Sequence, residues 1–459
     1  MTKLCIAVLA LGLVGCATTS PLTYKTDMCG FSQTKVVVNE PGFPERNRRP
    51  PKSLDVPTST LVISGGGEHG AFGAGFLTQW KESSPGRELP KFGLVTGIST
   101  GAILATWAFI DEPEMAAQQY RIGQESDILR VYGKPSKSGG LGLTGALTAL
   151  RKNALGDLSP LQAKLTEVLD FRTLKKVTEQ PGRLLVGAVE IDTGEMYTFN
   201  MKEMAQRAVN EGADSLGFRK FQACYVKAIL ASSSVPLAAK PVFIDNRMYI
   251  DGGARFGVFV DYLNAATRDD YKPFALVPLS REPNDVSKPD GPKLYILMNG
   301  TQWIKPKCGK VDEKLCTKSY LYPDKVSNTE GQRKKWDLPN LAFRSNDALI
   351  NQIYRLSAFR VQNQYNVAFP ASQFNQRYYF ARVHRRDINI SGNFPYIGPD
   401  GTTRSCIDWR TYDDDHFRPL EFHKTYMACL IEYGRSEAKR LKWFQPDEGA
   451  QFDFDDTPD

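Results

Sequence analysis

The first residue with clear chemical potential is a serine held between two glycines. The stretch Gly97-Ile98-Ser99-Thr100-Gly101 matches the pattern G-x-S-x-G, in which a sharp turn from strand to helix presents a serine hydroxyl. Gly97 and Gly101 fit such an elbow because a Cβ at either position would collide with nearby backbone. Ser99 is therefore a candidate nucleophile for attack on a carbonyl carbon. The alternative is a Gly/Ser turn that only connects two core elements.

A glycine-rich loop precedes this serine and reads Gly65-Gly66-Gly67-Glu68-His69-Gly70. Such a loop can hold a dinucleotide pyrophosphate, or its backbone N–H groups can stabilise a developing oxyanion. A dinucleotide site would place an acidic residue at the end of the next strand, whereas that strand here ends at Ser99. We therefore interpret Gly65, Gly66, Gly67 and Gly70 as an oxyanion hole.

A carboxylate at the end of a predicted strand is the third candidate. Asp251 is followed directly by Gly252 and Gly253, so the acid lies on a turn that permits unusual backbone angles. Taken alone, Asp-Gly-Gly is typical of an ordinary turn.

The elements around the first two sites predict how they are positioned. Thr60–Ser64 is a buried strand, Ala71–Glu82 a helix, Phe92–Thr96 a second strand and Ala102–Ile110 a buried helix. This is a βαβ unit, whose strands are parallel with a right-handed crossover. The glycine loop and Ser99 then lie at the carboxyl ends of parallel strands, where sites form in open α/β sheets.

Apolar periodicity predicts further elements along the chain. The predicted strands are Arg183–Glu190, Met196–Asn200, Val242–Ile244 paired with Met248–Ile250, Lys293–Asn299 and Arg377–Val383. The predicted helices are Leu158–Asp170 with Ser159 as N-cap, Phe218–Ser232, Ser345–Val367 and Pro419–Lys439.

The order of these sites resembles the patatin-like phospholipase family. The glycine loop, the serine elbow and the Asp-Gly-Gly turn occur in that sequence, and Ala231-Ser232 and Pro236 stand shortly before the aspartate. The resemblance covers roughly residues 60–260. It implies an α/β fold, a three-layer sandwich with a mainly parallel sheet.

The resemblance also implies a reaction, the cleavage of lipid acyl esters by a Ser–Asp dyad without cofactor or metal. Ser99 would be the nucleophile, Asp251 would orient and help deprotonate it, and the glycine loop would supply the oxyanion hole. One departure is His69, since the family commonly has Arg or Lys at that position.

Two other functions remain open. A Ser–His–Asp hydrolase would place its histidine after the acid, and His384, His416 and His423 are available. The last is interpreted as lying in a surface helix. The other possibility is a non-catalytic lipoprotein that binds lipid.

The amino terminus predicts export. Lys3 is followed by the apolar stretch Leu4–Val14, which is too short to span a bilayer. Leu13-Val14-Gly15-Cys16 resembles the bacterial lipobox. Residues 1–15 are thus a predicted signal peptide, Cys16 the lipidated residue and residues 16–58 a tether. Ala17 suggests the outer membrane by the same resemblance, with the enzyme facing the periplasm or the exterior.

Charge and length bound the remaining chain. The chain has 459 residues, and residues 59–275 are the predicted catalytic domain. The chain's formal net charge of +7 suits a protein that works beside anionic phospholipid. Residues 276–445 form a predicted α+β extension, and residues 446–459 an acidic, disordered tail. Nucleic acid is not an expected partner, because the sequence has no run of five Lys or Arg.

The cysteines permit disulfides in an exported domain. Of eight, Cys5 leaves with the signal and Cys16 carries lipid. The other six allow fifteen pairings, of which Cys308–Cys316 is favoured and Cys406–Cys429 comes next. Zinc is not expected, because the spacings typical of its ligands are absent.

Overall fold

A mixed β-sheet with helices on both faces forms the centre of the molecule. The computed structural model describes residues 28–31, 33–35, 59–132, 154–260, 293–300, 338–368, 377–383 and 394–441. Within these ranges the main sheet has nine strands in a single network. The α/β fold class with a mainly parallel central sheet is confirmed.

The strands of the main sheet are β1 (Gln33–Lys35), β2 (Ser59–Ile63), β3 (Phe92–Ile98), β6 (Arg183–Glu190), β7 (Glu195–Asn200), β8 (Val242–Ile244), β9 (Arg247–Asp251), β10 (Lys293–Met298) and β11 (Arg377–Arg382). Two short pairs lie outside it, β4 (Arg130–Val131) with β5 (Gly156–Asp157), and β12 (Tyr396–Ile397) with β13 (Thr403–Arg404).

The helices are α1 (Gly70–Ser83), α2 (Thr100–Phe109), α3 (Pro113–Tyr120), α4 (Ser159–Val168), α5 (Phe171–Glu179), α6 (Met201–Asn210), α7 (Leu216–Ser233), α8 (Leu338–Ala368), α9 (Cys406–His416) and α10 (Lys424–Leu441).

The strand order across the sheet is β1-β7-β6-β3-β2-β10-β11. β6, β3, β2, β10 and β11 run parallel to one another, whereas β7 and β9 pair antiparallel with β6. The predicted βαβ unit is thus present, with β2 and β3 adjacent and parallel.

Both faces of the sheet are buried. Along β2, Leu61 and Ile63 contribute to a cluster that includes α1, α2, α7 and α10, whereas Val62 contributes to a second cluster that includes α8. Alternate side chains of a strand point to opposite faces. The continuous apolar run in β2 therefore reflects a middle layer covered on both sides.

The carboxyl-terminal region is built into this sheet and its helical layers. β10 lies between β2 and β11, and α10 packs along α1. A Cβ on Gly75 of α1 would lie 2.7 Å from the carbonyl carbon of Ile431, so the absence of a side chain there lets the two helices approach closely. The predicted boundary at residue 275 lies outside the described residues.

Part of the predicted tether is fixed to the domain. Cys29 forms a disulfide with Cys224 on α7, and β1 pairs antiparallel with β7. Residues 28–31 and 33–35, which lie within the predicted tether 16–58, are therefore attached to the domain. Cys16, the signal segment and the acidic tail lie outside the described residues.

Three local predictions need correction. Ser159 is the first residue of α4 rather than its N-cap, and its hydroxyl bonds to Asp157. The predicted helix 158–170 ends at Val168, and Asp170 caps the next helix by accepting from the Thr173 N–H. The last helix begins at Lys424 instead of Pro419.

The disulfide prediction has a divided outcome. Cys406–Cys429 is confirmed and links α9 to α10. Cys308 and Cys316 lie outside the described residues.

Among the described residues, no helix has the length and apolarity that crossing a bilayer requires.

Candidate active site

Ser99 stands at a strained turn between β3 and α2. Its φ is +55°, a conformation that ordinarily costs a non-glycine residue about 1–3 kcal/mol. The flanking glycines make the turn possible. A Cβ on Gly97 would lie 2.8 Å from the Ala102 Cα, and one on Gly101 would lie 2.5 Å from the carbonyl oxygens of Ile63 and Ser64.

Asp251 reaches Ser99 because β3 and β9 share one edge of β6. The last residue of β3, Ile98, pairs with Gly187 of β6. The next residue of β6, Ala188, pairs with Asp251. Two strands that arrive from opposite directions thus end at neighbouring positions, and their terminal side chains meet.

A hydrogen bond joins the side chains of Ser99 and Asp251. The Ser99 hydroxyl donates a hydrogen bond to the Asp251 carboxylate, whose Oδ1 also accepts from the Gly253 N–H at 2.6 Å. Burial raises the pKa of Asp251 to about 6, although both hydrogen bonds act to lower it. Only 4% of Asp251 is exposed, and a buried carboxyl group whose pKa lies near neutrality is a candidate general base.

Ser232 supports the elbow from behind. Its hydroxyl accepts a hydrogen bond from the Ser99 N–H at 2.8 Å and donates to the Gly187 carbonyl at 2.6 Å. Ser232 is fully buried at the end of α7. It therefore ties the serine turn to β6, whose next residue, Ala188, pairs with Asp251.

The glycine loop lies beside these residues, and its start is fixed by Asn299. The Asn299 side chain donates to the Ser64 carbonyl, and its N–H donates to the Ser64 hydroxyl, both at 2.8 Å. Gly66 has a φ of +148°, which residues with a side chain rarely adopt. The loop conformation therefore depends on glycine here.

Gly70 is not a suitable oxyanion donor, and this prediction needs correction. Its N–H bonds to carbonyls within the loop, at Gly67 and Glu68. The residue opens α1, and a Cβ on it would collide with Thr100 and Tyr120. The N–H groups of Gly65, Gly66 and Gly67 remain the candidates for oxyanion stabilisation.

His69 holds the loop as a neutral ring. Its Nδ1 lies 3.0 Å from the Gly66 carbonyl and must donate to it. The Nε2 atom, 3.0 Å from the Tyr426 hydroxyl, therefore accepts a hydrogen bond from that group. Burial lowers the pKa of His69, with partial opposition from Glu68. His69, which departs from the family pattern, therefore stabilises the loop by a side-chain hydrogen bond to the loop backbone.

Glu68 anchors the loop to the carboxyl-terminal region. Its carboxylate accepts from the His423 ring at 2.8 Å and from Arg410 Nε at 3.0 Å. Burial alone would raise the pKa of Glu68, but the hydrogen bond from His423 and the charge of Arg410 lower it overall. A buried ionised acid with these partners fixes the loop to the segment around α9 and α10.

Two histidines of the alternative triad, His416 and His423, have other contacts in the structure. His423 is 1% exposed, so its interpretation as a surface residue is wrong. Its ring nitrogens bond to Glu68 and Asp414, at 2.8 and 2.9 Å. Burial alone would lower the pKa of His423, but its bonds to these carboxylates raise it. A ring in that state has no free site for a proton from Ser99. His416 is exposed and bonds to the Tyr412 carbonyl, and His384 lies outside the described residues.

A narrow cavity of about 100 Å³ opens beside Ser99 and Gly67. Thr100 and several apolar side chains line its wall. The apolar lining is Ile103, Ile128, Leu129, Leu158, Leu161, Leu165, Val235, Ala238, Ala239 and Phe422. Such a shape and lining suit a hydrocarbon chain better than a polar ligand.

Sequence reasoning missed the supporting residues. Ser232 appears in the motif that carries the resemblance, but its bond to the Ser99 backbone was not foreseen. Glu68 stands within the glycine loop, and its partner His423 is 355 positions away. Tyr354, on α8, also lies at the site, and no sequence pattern marks it.

A family model described as patatin-like phospholipase matches residues 61–264. No curated protein matches the chain. Among solved structures, VipD from Legionella pneumophila aligns at 13% identity, with a TM-score of 0.27, over 48% of this chain and 49% of that one. The chain thus spans about half the length of that structure. Residues 61–264 of this protein are a patatin-like phospholipase domain.

Proposed function

We propose that this protein is a lipid acyl hydrolase of the phospholipase A, lysophospholipase or esterase type. Ser99 is the nucleophile and Asp251 the base. The hydrogen bond from the Ser99 hydroxyl to the Asp251 carboxylate carries this proposal. The family match supports a lipid acyl hydrolase in general, and the apolar cavity beside Ser99 supports an acyl chain as the group bound.

The reaction follows from the positions of these groups. The Ser99 oxygen attacks the ester carbonyl while its proton passes to Asp251. The tetrahedral oxyanion accepts hydrogen bonds from the backbone of the loop Gly65–Gly67. Each such donor typically contributes about 3–4 kcal/mol to the transition state. The alcohol then departs with the proton from Asp251, and water hydrolyses the acyl-enzyme.

The proposal extends to location. We infer that Cys16 is acylated, and that the enzyme acts on phospholipid or another acyl ester at the membrane to which it is anchored. The formal net charge of +7 would favour approach to an anionic lipid surface. Palmitate labelling of wild type against Cys16→Ser tests this step, and an unlabelled wild-type protein would contradict it.

The decisive experiment compares wild type with Ser99→Ala. We expect wild type to hydrolyse p-nitrophenyl acyl esters and to react with a fluorophosphonate probe at Ser99. The variant should do neither, although its circular dichroism stays the same. Wild-type protein that binds lipid without turnover or labelling would favour a non-catalytic lipoprotein. Turnover by Ser99→Ala would remove this serine from the mechanism.

A further inference from the structure

Tyr354 is held rigidly against the proposed active site. It lies on α8 and is 5% exposed. Two glycines form the slot for its ring. A Cβ on Gly257 would lie 2.7 Å from Tyr354 Cγ, and a Cβ on Gly300 would lie 2.5 Å from its Cε1. The side chain therefore has little room to change rotamer.

The hydroxyl of this residue faces both members of the dyad. A Cβ added to Gly65 would lie 2.5 Å from the Tyr354 hydroxyl oxygen and 2.9 Å from the Ser99 Cβ. A Cβ added to Gly253 would lie 3.5 Å from the same hydroxyl and 2.9 Å from Asp251 Oδ1. The phenol thus stands between the glycine loop and the acid turn, at the nucleophile.

This hydroxyl is a hydrogen-bond donor in the resting enzyme. Burial and the nearby charge of Asp251 raise the pKa of Tyr354, so the phenol stays protonated at neutral pH. Among the described residues, none accepts a hydrogen bond from this hydroxyl. Its O–H is available to an oxygen atom of a bound substrate.

The two arms of an ester then occupy different sides of Ser99. The cavity for the acyl chain runs past Thr100, Ile103 and Leu161, and Tyr354 is not part of its wall. An ester whose acyl chain fills that cavity extends its alcohol portion away from it. Among the described residues, the Tyr354 hydroxyl is a side-chain donor that lies beside Ser99 outside the cavity.

We propose that the Tyr354 hydroxyl donates a hydrogen bond to the leaving-group oxygen of the ester. This inference rests on the proposed function. When the tetrahedral intermediate collapses, the bond between the carbonyl carbon and the alcohol oxygen breaks, and that oxygen takes the proton from Asp251. Donation from Tyr354 stabilises the negative charge that builds on this oxygen before the proton arrives.

The test is Tyr354→Phe, which keeps the ring between Gly257 and Gly300 and removes only the hydroxyl. Two substrates with the same acyl chain are compared, a p-nitrophenyl ester and an alkyl ester of glycerol. An alkoxide needs stabilisation as it leaves, whereas p-nitrophenolate does not. We expect kcat/KM to fall by roughly 10–100-fold for the glycerol ester and by less than about threefold for the p-nitrophenyl ester.

The ratio between the two substrates is the informative quantity, because it does not depend on the fraction of enzyme that is folded. Tyr225→Phe is the matched control. It removes a buried hydroxyl that bonds to Thr106, and the ratio should stay at the wild-type value. Equal losses on both esters for Tyr354→Phe, or no loss on either, would overturn this inference alone. Wild-type enzyme that hydrolyses neither ester would overturn the proposed function and this inference with it.

Discussion

Ser99 and Asp251 meet because two strands of opposite direction end side by side on β6, at Gly187 and Ala188. Each side chain lies at the terminus of its own strand, and each strand is held by the same neighbour. The relative position of Ser99 and Asp251 therefore depends on the backbone register of one central strand. Ser232 adds a side-chain bond from the Ser99 backbone to that strand.

The first prediction concerns pH. Asp251 must be ionised to accept the Ser99 proton, and its pKa is raised to about 6. We therefore expect kcat/KM for an uncharged ester to fall with decreasing pH, with an apparent pKa near 6. A pH–rate profile from about pH 4 to about pH 9 measures this. Constant activity down to the lower limit would show that a different group is the base.

The second prediction is that Asp251→Asn exchanges activity for stability. The pKa of Asp251 in the folded protein lies above the ordinary value of 3.8. The stability that the protonated acid contributes is therefore fully present below about pH 3.8 and is lost as the pH rises through about 6. At pH 7 the buried charge should destabilise the protein by up to roughly 3 kcal/mol.

Asparagine removes that charge and can still accept from the Gly253 N–H. We expect a higher urea midpoint for Asp251→Asn at about pH 7 and little difference at about pH 3.5, together with a loss in kcat of roughly 10³ or more. An equal gain in stability at both pH values would argue against burial of the charge as the cause.

The third prediction concerns Ser232. Ser232→Ala leaves two buried groups without their partner, the Ser99 N–H and the Gly187 carbonyl. We expect a loss of about 1–3 kcal/mol in the free energy of unfolding, with a fall in kcat because the elbow is no longer tied to β6. Ser234→Ala is a matched control, since that hydroxyl, directly after α7, bonds to the Leu230 carbonyl and to no other described residue. Equal effects of the two variants on kcat would contradict a specific role for Ser232.

The sequence predicts the local part of this site well. The glycine loop, the elbow and the strands beside them lie within about fifty residues, where composition and periodicity indicate each turn and element. The resemblance adds Asp251 through its motif. The register that brings Asp251 to Ser99 depends on pairing with β6, and periodicity does not determine which strands pair.

The parts that escaped prediction come from distant segments. Tyr354 lies on a helix whose apolar pattern predicts only that one face is buried. Glu68 and His423 are 355 positions apart, and each alone resembles an ordinary charged residue. His69 departs from the family pattern, but its bond to Gly66 depends on the loop geometry, which the sequence does not determine.

The fourth prediction separates an anchor from a base. If His423 secures the glycine loop through Glu68, His423→Ala and Glu68→Ala should each lower both stability and kcat, and the double variant should be little worse than either one. His416→Ala should change kcat by less than about tenfold. A loss of activity for His423→Ala as large as that of Ser99→Ala, without loss of stability, would revive the histidine triad.

The last prediction concerns the amino-terminal segment. The N–H groups of Cys29, Gly30 and Phe31 all donate to the Asp245 carboxylate in the turn between β8 and β9. Cys29 is also linked to Cys224 across 195 positions. This segment therefore braces the hairpin whose second strand ends at Asp251.

Replacing both Cys29 and Cys224 by serine should lower the free energy of unfolding by about 2–5 kcal/mol, because the open chain gains conformational freedom when unfolded. The matched control replaces both Cys406 and Cys429 by serine. Their disulfide spans only 23 positions, so its loss should lower the free energy of unfolding by a smaller amount. Urea titrations of both variants under non-reducing conditions measure the difference. An unchanged midpoint for the first variant would mean that the hydrogen bonds to Asp245 and the β1–β7 pairing suffice to hold this segment.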